Sequence, residues 1–81
     1  MYFVYIVQCA DNTLYTGIAT ELERRIKEHN ESDKGAKYTR VRRPVSLVYS
    51  ESYPDRSTAS RREYEIKKKM SRKQKLNLIT T

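Results

Sequence analysis

Tyr2-Phe3-Val4-Tyr5-Ile6-Val7, followed by Leu14-Tyr15-Thr16-Gly17-Ile18, decides how this chain folds. Both stretches are rich in the β-branched and aromatic residues that fit a pleated, half-buried surface. Asp11-Asn12 between them supplies turn chemistry. Residues 2–18 therefore read as a β-hairpin. The first strand carries no polar alternate positions and reads as covered on both faces. The register is left open. One pairing puts Tyr5 and Tyr15 on the same face, and a one-residue slip separates them. Gly17, close after Tyr15, marks a close backbone approach at a strand end.

Outward from the hairpin, Thr20-Glu21-Leu22-Glu23 reads as a capping box, with Thr20 as N-cap and Glu23 at the third helical position. The helix runs to about Asn30, and its acidic first turn suits the macrodipole. A polar loop follows at Glu31-Ser32-Asp33-Lys34-Gly35, then room for a short helical turn between Ala36 and Arg43. Pro44 opens a third strand, Val45-Ser46-Leu47-Val48-Tyr49-Ser50, at a position where proline is tolerated. Tyr53-Pro54-Asp55 makes a turn, and Asp55 or Ser57 caps a helix reaching about Met70. Ser71-Arg72-Lys73-Gln74 is a second capping box, opening a short helix with Leu76 and Ile79 inward. The order ββαβαα describes an α+β fold: a small sheet with helices packed on it.

Eighty-one residues hold one domain, 1–81, with 37% hydrophobic residues and hence a small core. The longest uncharged run, Met1 to Ala10, is far below the ~20 apolar residues of a membrane span. No cationic flank precedes it, so an export signal is not expected and the cytoplasm is the expected compartment. One Cys and one His exclude an internal disulfide, a zinc cluster and a histidine metal cage. Two glycines exclude a phosphate-cradling glycine loop. Charge is the strongest compositional signal. Residues 1–33 hold three basic and six acidic side chains, net −3, whereas residues 34–81 hold fourteen basic and four acidic, net +10. A positive stretch of that kind, in a chain with pI near 9.7, is the electrostatic footprint of a polyanion binder.

Helix geometry singles out a few polar residues. At 100° per residue, Leu22 and Ile26 mark the buried stripe of the first helix. Arg25 and His29, an i,i+4 pair, fall at its edge. Arg25 is either a snorkelling arginine or a cation held in a cleft. His29 taken singly reads as a helix C-terminal cation or core-edge histidine. On the third helix Ala59, Glu63, Ile66 and Met70 form one stripe, with a carboxylate in its middle. Such a carboxylate must be paired, protonated or bound to a metal. A structural ion pair, for instance to Arg25, and a Mg²⁺ ligand are the two readings. Most of the seven Tyr read as core or sheet surface. A phenol beside a cation can have a lowered pKa and act as a base.

Taken in order, these residues resemble the GIY-YIG nuclease superfamily. The likeness runs through Val4-Tyr5-Ile6, Tyr15-Thr16-Gly17 and Leu22-x-x-Arg25-x-x-x-His29. It continues in Gly35-Ala36-Lys37-Tyr38-Thr39-Arg40, Arg43-Pro44-Val45 and Leu47-Val48-Tyr49, and closes with Ala59-x-x-x-Glu63-x-x-x-Lys67. It covers nearly the whole chain and is closest in kind to the small stand-alone bacterial members. Phe3-Val4-Tyr5 stands where the family often has Gly first, and Thr16 replaces the usual Ile. The resemblance implies a three-stranded antiparallel sheet flanked by helices, and hydrolysis of phosphodiester bonds in nucleic acid, DNA above all. It implies one Mg²⁺ or Mn²⁺ ion held by Glu63, with Arg25 neutralising phosphate charge and His29 as helper. Tyr5 and Tyr15 would lie beside the scissile phosphate, either one as the base. Lys37, Arg40, Arg42, Arg43 and Lys67 would track the nucleic-acid backbone. Specificity would be for strand structure rather than sequence, with no membrane and no obligate protein partner. A nucleic-acid-binding module without catalysis is the alternative.

Overall fold

The computed structural model describes residues 1–80. The hairpin forms as expected: β1 spans Tyr2–Gln8 and β2 spans Leu14–Ala19. Its turn is an Asx turn. The Asp11 carboxylate accepts from the Thr13 amide at 3.1 Å, and Asn12 takes the left-handed conformation at φ 68° that its short polar side chain tolerates. Helix α1 runs Leu22–Glu31, α2 is a single turn at Lys37–Arg40, and β3 spans Ser46–Tyr53. Helix α3, Arg56–Tyr64, continues directly into a π-helical segment, Glu65–Lys69, and α4 covers Arg72–Thr80. The sheet is three-stranded and antiparallel in the order β2-β1-β3.

The register resolves the question left by the sequence. Tyr5 pairs with Gly17 and Val7 with Tyr15, so Tyr5 and Tyr15 share a face. That face carries Tyr5, Val7, Cys9 and Val45, with Leu22 and Ile26 of α1 packed against it. The opposite face carries Val4 and Ile6 under Ala59 and Ile66. With β1 central, both its faces are covered, which is why its sequence lacks alternation.

Three expectations are corrected. The capping box at Thr20 does not form. The chain leaves β2 at Ala19 and must reverse within two residues, so Glu21 becomes the N-cap, without a side-chain cap bond, and its carboxylate pairs with Arg24 at 2.9 Å. The third strand is longer than 45–50 and starts after Val45, whose amide and carbonyl are both held by the Asn30 side chain at 2.7 and 3.0 Å. Its alternation is broken by an irregularity opposite Ile6 and Val7, which leaves Leu47 exposed. In α4, Leu78 and Ile79 pack toward the core, whereas Leu76 is 39% exposed. The Ser71–Gln74 box does form, with reciprocal bonds of 2.8 and 3.2 Å, and Asp55 caps α3 by accepting from the Thr58 amide at 2.8 Å.

Candidate active site

Tyr5 projects from the centre of β1 across its neighbour strand. A Cβ on Gly17 would lie 2.6 Å from the Tyr5 Cζ, so only glycine lets the ring cross there. This is the close approach that the sequence marks at Gly17. The Tyr5 hydroxyl reaches His29 of α1, 2.7 Å from Nε2. Tyr5 is 1% exposed and His29 is fully buried. Tyr15, on the same face, meets the His29 ring edge-on at 5.4 Å. The other ring nitrogen of His29, Nδ1, lies 2.7 Å from the Thr39 hydroxyl.

Arg25 approaches the two phenols from α1. Its Nη1 donates to Glu28 Oε1 at 3.0 Å and to the Lys34 carbonyl at 2.7 Å, which ties the guanidinium to the loop after α1. Glu63 of α3 is half-buried and makes no hydrogen bond or ion pair with any described residue. The Arg25–Glu63 pair that would have explained it structurally is therefore not formed, because Arg25 is taken by Glu28. The Glu63 charge nevertheless acts on both Tyr5 and Tyr15. Lys67, on the π-helical segment, sets its ammonium 5.2 Å from the Tyr15 ring. A π turn at this point is a local departure of the kind often found at functional sites.

Electrostatics correct the expectation of a lowered phenol pKa. Burial pushes the Tyr5 hydroxyl up to about 12, and the opposing pull of Arg25 is the smaller effect. Tyr15 is also raised, again by burial more than it is lowered by Arg25. His29 is pushed down to about 4, first by burial and then by the Arg25 charge. It is a neutral imidazole at pH 7, not the helix C-terminal cation that its position suggests.

The five expected backbone-tracking cations divide. Lys37 and Lys67 are exposed. Arg40 is exposed and donates to the Asp33 carbonyl. Arg42 pairs with Asp11 at 3.1 Å and lies 4.0 Å over the Tyr38 ring, which in turn stacks on Tyr15. Arg43 departs from expectation: it is turned inward, donating to the carbonyls of His29 and Ser32 at 2.5 Å, so its fork caps the C-terminus of α1. No role for Thr39 or Asn30 is legible in the sequence, because the Thr39–His29 and Asn30–Val45 contacts join residues ten and fifteen positions apart.

A UPF0213 protein of Desulfotalea psychrophila is 71% identical over 66 residues, which cover 82% of this chain and 60% of that relative's length. A UPF0213 protein of Staphylococcus haemolyticus is 59% identical over 78 residues, 96% of this chain and 93% of the relative. The solution structure of a UPF0213 protein from Bacillus halodurans superimposes with a TM-score of 0.62 at 47% identity, covering 99% of this chain and 84% of that one. No helix among the described residues is long and apolar enough to cross a membrane. Tyr5, Gly17, Arg25, His29 and Glu63 lie within residues 1–77, the span matched by the GIY-YIG catalytic domain, and the chain belongs to the GIY-YIG family.

Proposed function

We propose that this chain is an endonuclease that hydrolyses phosphodiester bonds in DNA with one divalent ion, Mg²⁺ or Mn²⁺, and selects its substrate by strand structure rather than sequence. The observation that carries this reading is Glu63. Its half-buried carboxylate has no side-chain hydrogen bond or ion pair among the described residues, so both its oxygens are available to a cation. Its charge acts on two phenols, Tyr5 and Tyr15, and both of these also feel the Arg25 guanidinium. A lone carboxylate fits a Mg²⁺ site completed by water and phosphate oxygens. Among the described residues, no three His, Cys, Asp or Glu side chains cluster into an all-protein cage. Glu63 would hold the ion, which when bound supplies charge stabilisation at the leaving oxygen and acidifies water.

The remaining roles belong to the chain's own side chains. Arg25 faces the non-bridging oxygens with a planar, permanently charged fork. Tyr5 serves as the base. At a pKa of about 12 it is almost never ionised at pH 7, so it takes a proton from water only as its own leaves. Its hydroxyl is already in hydrogen-bond contact with neutral His29, whose low basicity in the free protein rises once the substrate's negative charge offsets Arg25, and which then receives that proton. Tyr5 is nearly enclosed, so the attacking water must enter as the substrate seats. Tyr15, half-buried and with no hydrogen bond from its hydroxyl to a described residue, orients that water or the phosphate. Lys37, Arg40, Arg42 and Lys67 supply sequence-independent backbone attraction. A panel of labelled single-stranded, duplex, flap and RNA substrates, incubated with Mg²⁺, Mn²⁺ or EDTA, tests the reading. Internal cleavage of at least one DNA form that EDTA abolishes is expected; no cleavage of any form would overturn it.

A further inference from the structure

We infer that Thr39 is a positioning residue: it locks His29 in the Nδ1–H tautomer, so that Nε2 faces the Tyr5 hydroxyl as a bare acceptor. Proton counting gives the direction. The Thr39 hydroxyl has one proton, and it lies 3.0 Å from the Ala36 carbonyl, a group that can only accept. With its proton given to that carbonyl, which also accepts from the Thr39 and Arg40 amides, Thr39 Oγ1 accepts at its 2.7 Å contact with Nδ1. The neutral ring carries one N–H, now assigned to Nδ1, so Nε2 has a lone pair and the Tyr5 hydroxyl donates to it across 2.7 Å. The result is one polarised chain, Tyr5 O–H to Nε2, Nδ1–H to Oγ1, and Oγ1–H to the Ala36 carbonyl. The Ala36 N–H is also directed at Nδ1, at 3.5 Å, a contact that suits a bare Nδ1; it is outweighed by Tyr5, whose buried hydroxyl proton finds its acceptor at Nε2.

The fold presses these two residues together. Thr39 and His29 are both fully buried. The segment that carries Thr39 can close onto α1 because Gly35 lacks a side chain: a Cβ there would meet the Glu28 carbonyl oxygen at 2.7 Å and the His29 Cα at 2.9 Å. The Arg43 guanidinium holds the His29 carbonyl from the other side. Histidine tautomers are set by the partner of the second nitrogen, and here that partner is a hydroxyl oriented by its own backbone. The cleavage consequence rests on the function proposed above, whereas the tautomer does not.

His29 is the only histidine in the chain, so its ring nitrogens give one assignable set of signals. Long-range ¹H–¹⁵N correlation at pH 7 reads the tautomer directly. A protonated Nδ1 and bare Nε2 are expected in the unmodified protein and in Thr39→Ser. Thr39→Val, which keeps the shape and loses the hydroxyl, should shift the ring toward the Nε2–H form. Under single turnover, Thr39→Val should cleave about 10- to 100-fold more slowly at unchanged DNA affinity, with Thr39→Ser restoring the rate. An Nε2–H ring in the unmodified protein overturns the inference, as does a ring unaltered in folded Thr39→Val. A protein that cleaves nothing but shows Nδ1–H contradicts the nuclease reading and leaves the tautomer lock standing.

Discussion

The Tyr5 hydroxyl lies 2.7 Å from Nε2 of His29, and both side chains are sealed from solvent. Strand β1 and helix α1 are thereby joined by a polar bond inside an otherwise apolar layer. Tyr5→Phe strands Nε2 as a buried acceptor, which costs about 1–3 kcal/mol of stability. Tyr15→Phe removes a hydroxyl with no such bond and should leave the melting temperature almost unchanged. Single-turnover rates separate the phenols: Tyr5→Phe should fall by roughly 10²–10⁴, the usual cost of a lost general base. A Tyr5→Phe protein at full rate would hand the base role to Tyr15.

Gly17 holds the other half of that geometry. Gly17→Ala puts a methyl 2.6 Å from the Tyr5 Cζ, and the ring must swing out of line with His29. Destabilisation of about 1–3 kcal/mol is expected from such overpacking. Cleavage should drop with it, while DNA affinity holds, because no cation has moved. Affinity and rate falling in parallel would argue against a local effect at Tyr5.

The buried imidazole makes folding acid-sensitive. His29 titrates near 6.5 when unfolded but about 4 when folded, so between those values the unfolded chain binds the extra proton. The stability contributed by neutral His29 is fully present above pH 6.5 and is lost as pH falls toward 4. The Arg25 and Arg43 charges facing the ring add to its reluctance to protonate, against the opposing pull of Glu28. Thermal unfolding measured from pH 7 to pH 5 should show a steeper loss in the unmodified protein than in His29→Gln. Equal slopes would contradict a buried neutral imidazole.

Arg43 and the exposed cations should part company in a salt titration. Replacing Lys37, Arg40 and Lys67 with Ala should flatten the log–log salt dependence of duplex binding by roughly 0.9 for each phosphate that is no longer neutralised. Arg43→Ala should leave that slope alone and lower the melting temperature, since it uncaps the α1 carbonyls. A flat slope in the unmodified protein would remove the nucleic-acid surface itself.

How far the sequence could be read depended on where each interaction lay along the chain. The hairpin and the Ser71–Gln74 box are set by neighbours within a few residues and are legible as written, whereas the α3 cap is legible only as Asp55 or Ser57, and the Thr20 box is overridden by the tight exit from β2. The Glu63 stripe was visible because helical spacing makes a carboxylate among apolar residues conspicuous. Register was not, because a slip of one residue conserves composition and changes only which face Tyr15 occupies. The inward turn of Arg43 was equally hidden, since an arginine beside other arginines reads as surface charge until α1 is placed against it. The sign of the Tyr5 shift also needed the fold: the sequence indicates that a cation is near, but only packing shows that burial outweighs it.

Glu63→Gln removes one charge at constant shape and so isolates the carboxylate proposed to hold the ion. The measurement is single-turnover cleavage of a labelled DNA substrate by the unmodified protein and by Glu63→Gln, each with Mg²⁺ and with EDTA, on preparations of matched melting temperature. Cleavage is expected only from the unmodified protein and only with the metal, with Glu63→Gln folded, DNA-bound and inactive. Cleavage by Glu63→Gln within a few-fold of the unmodified rate, or by the unmodified protein in EDTA, would contradict it.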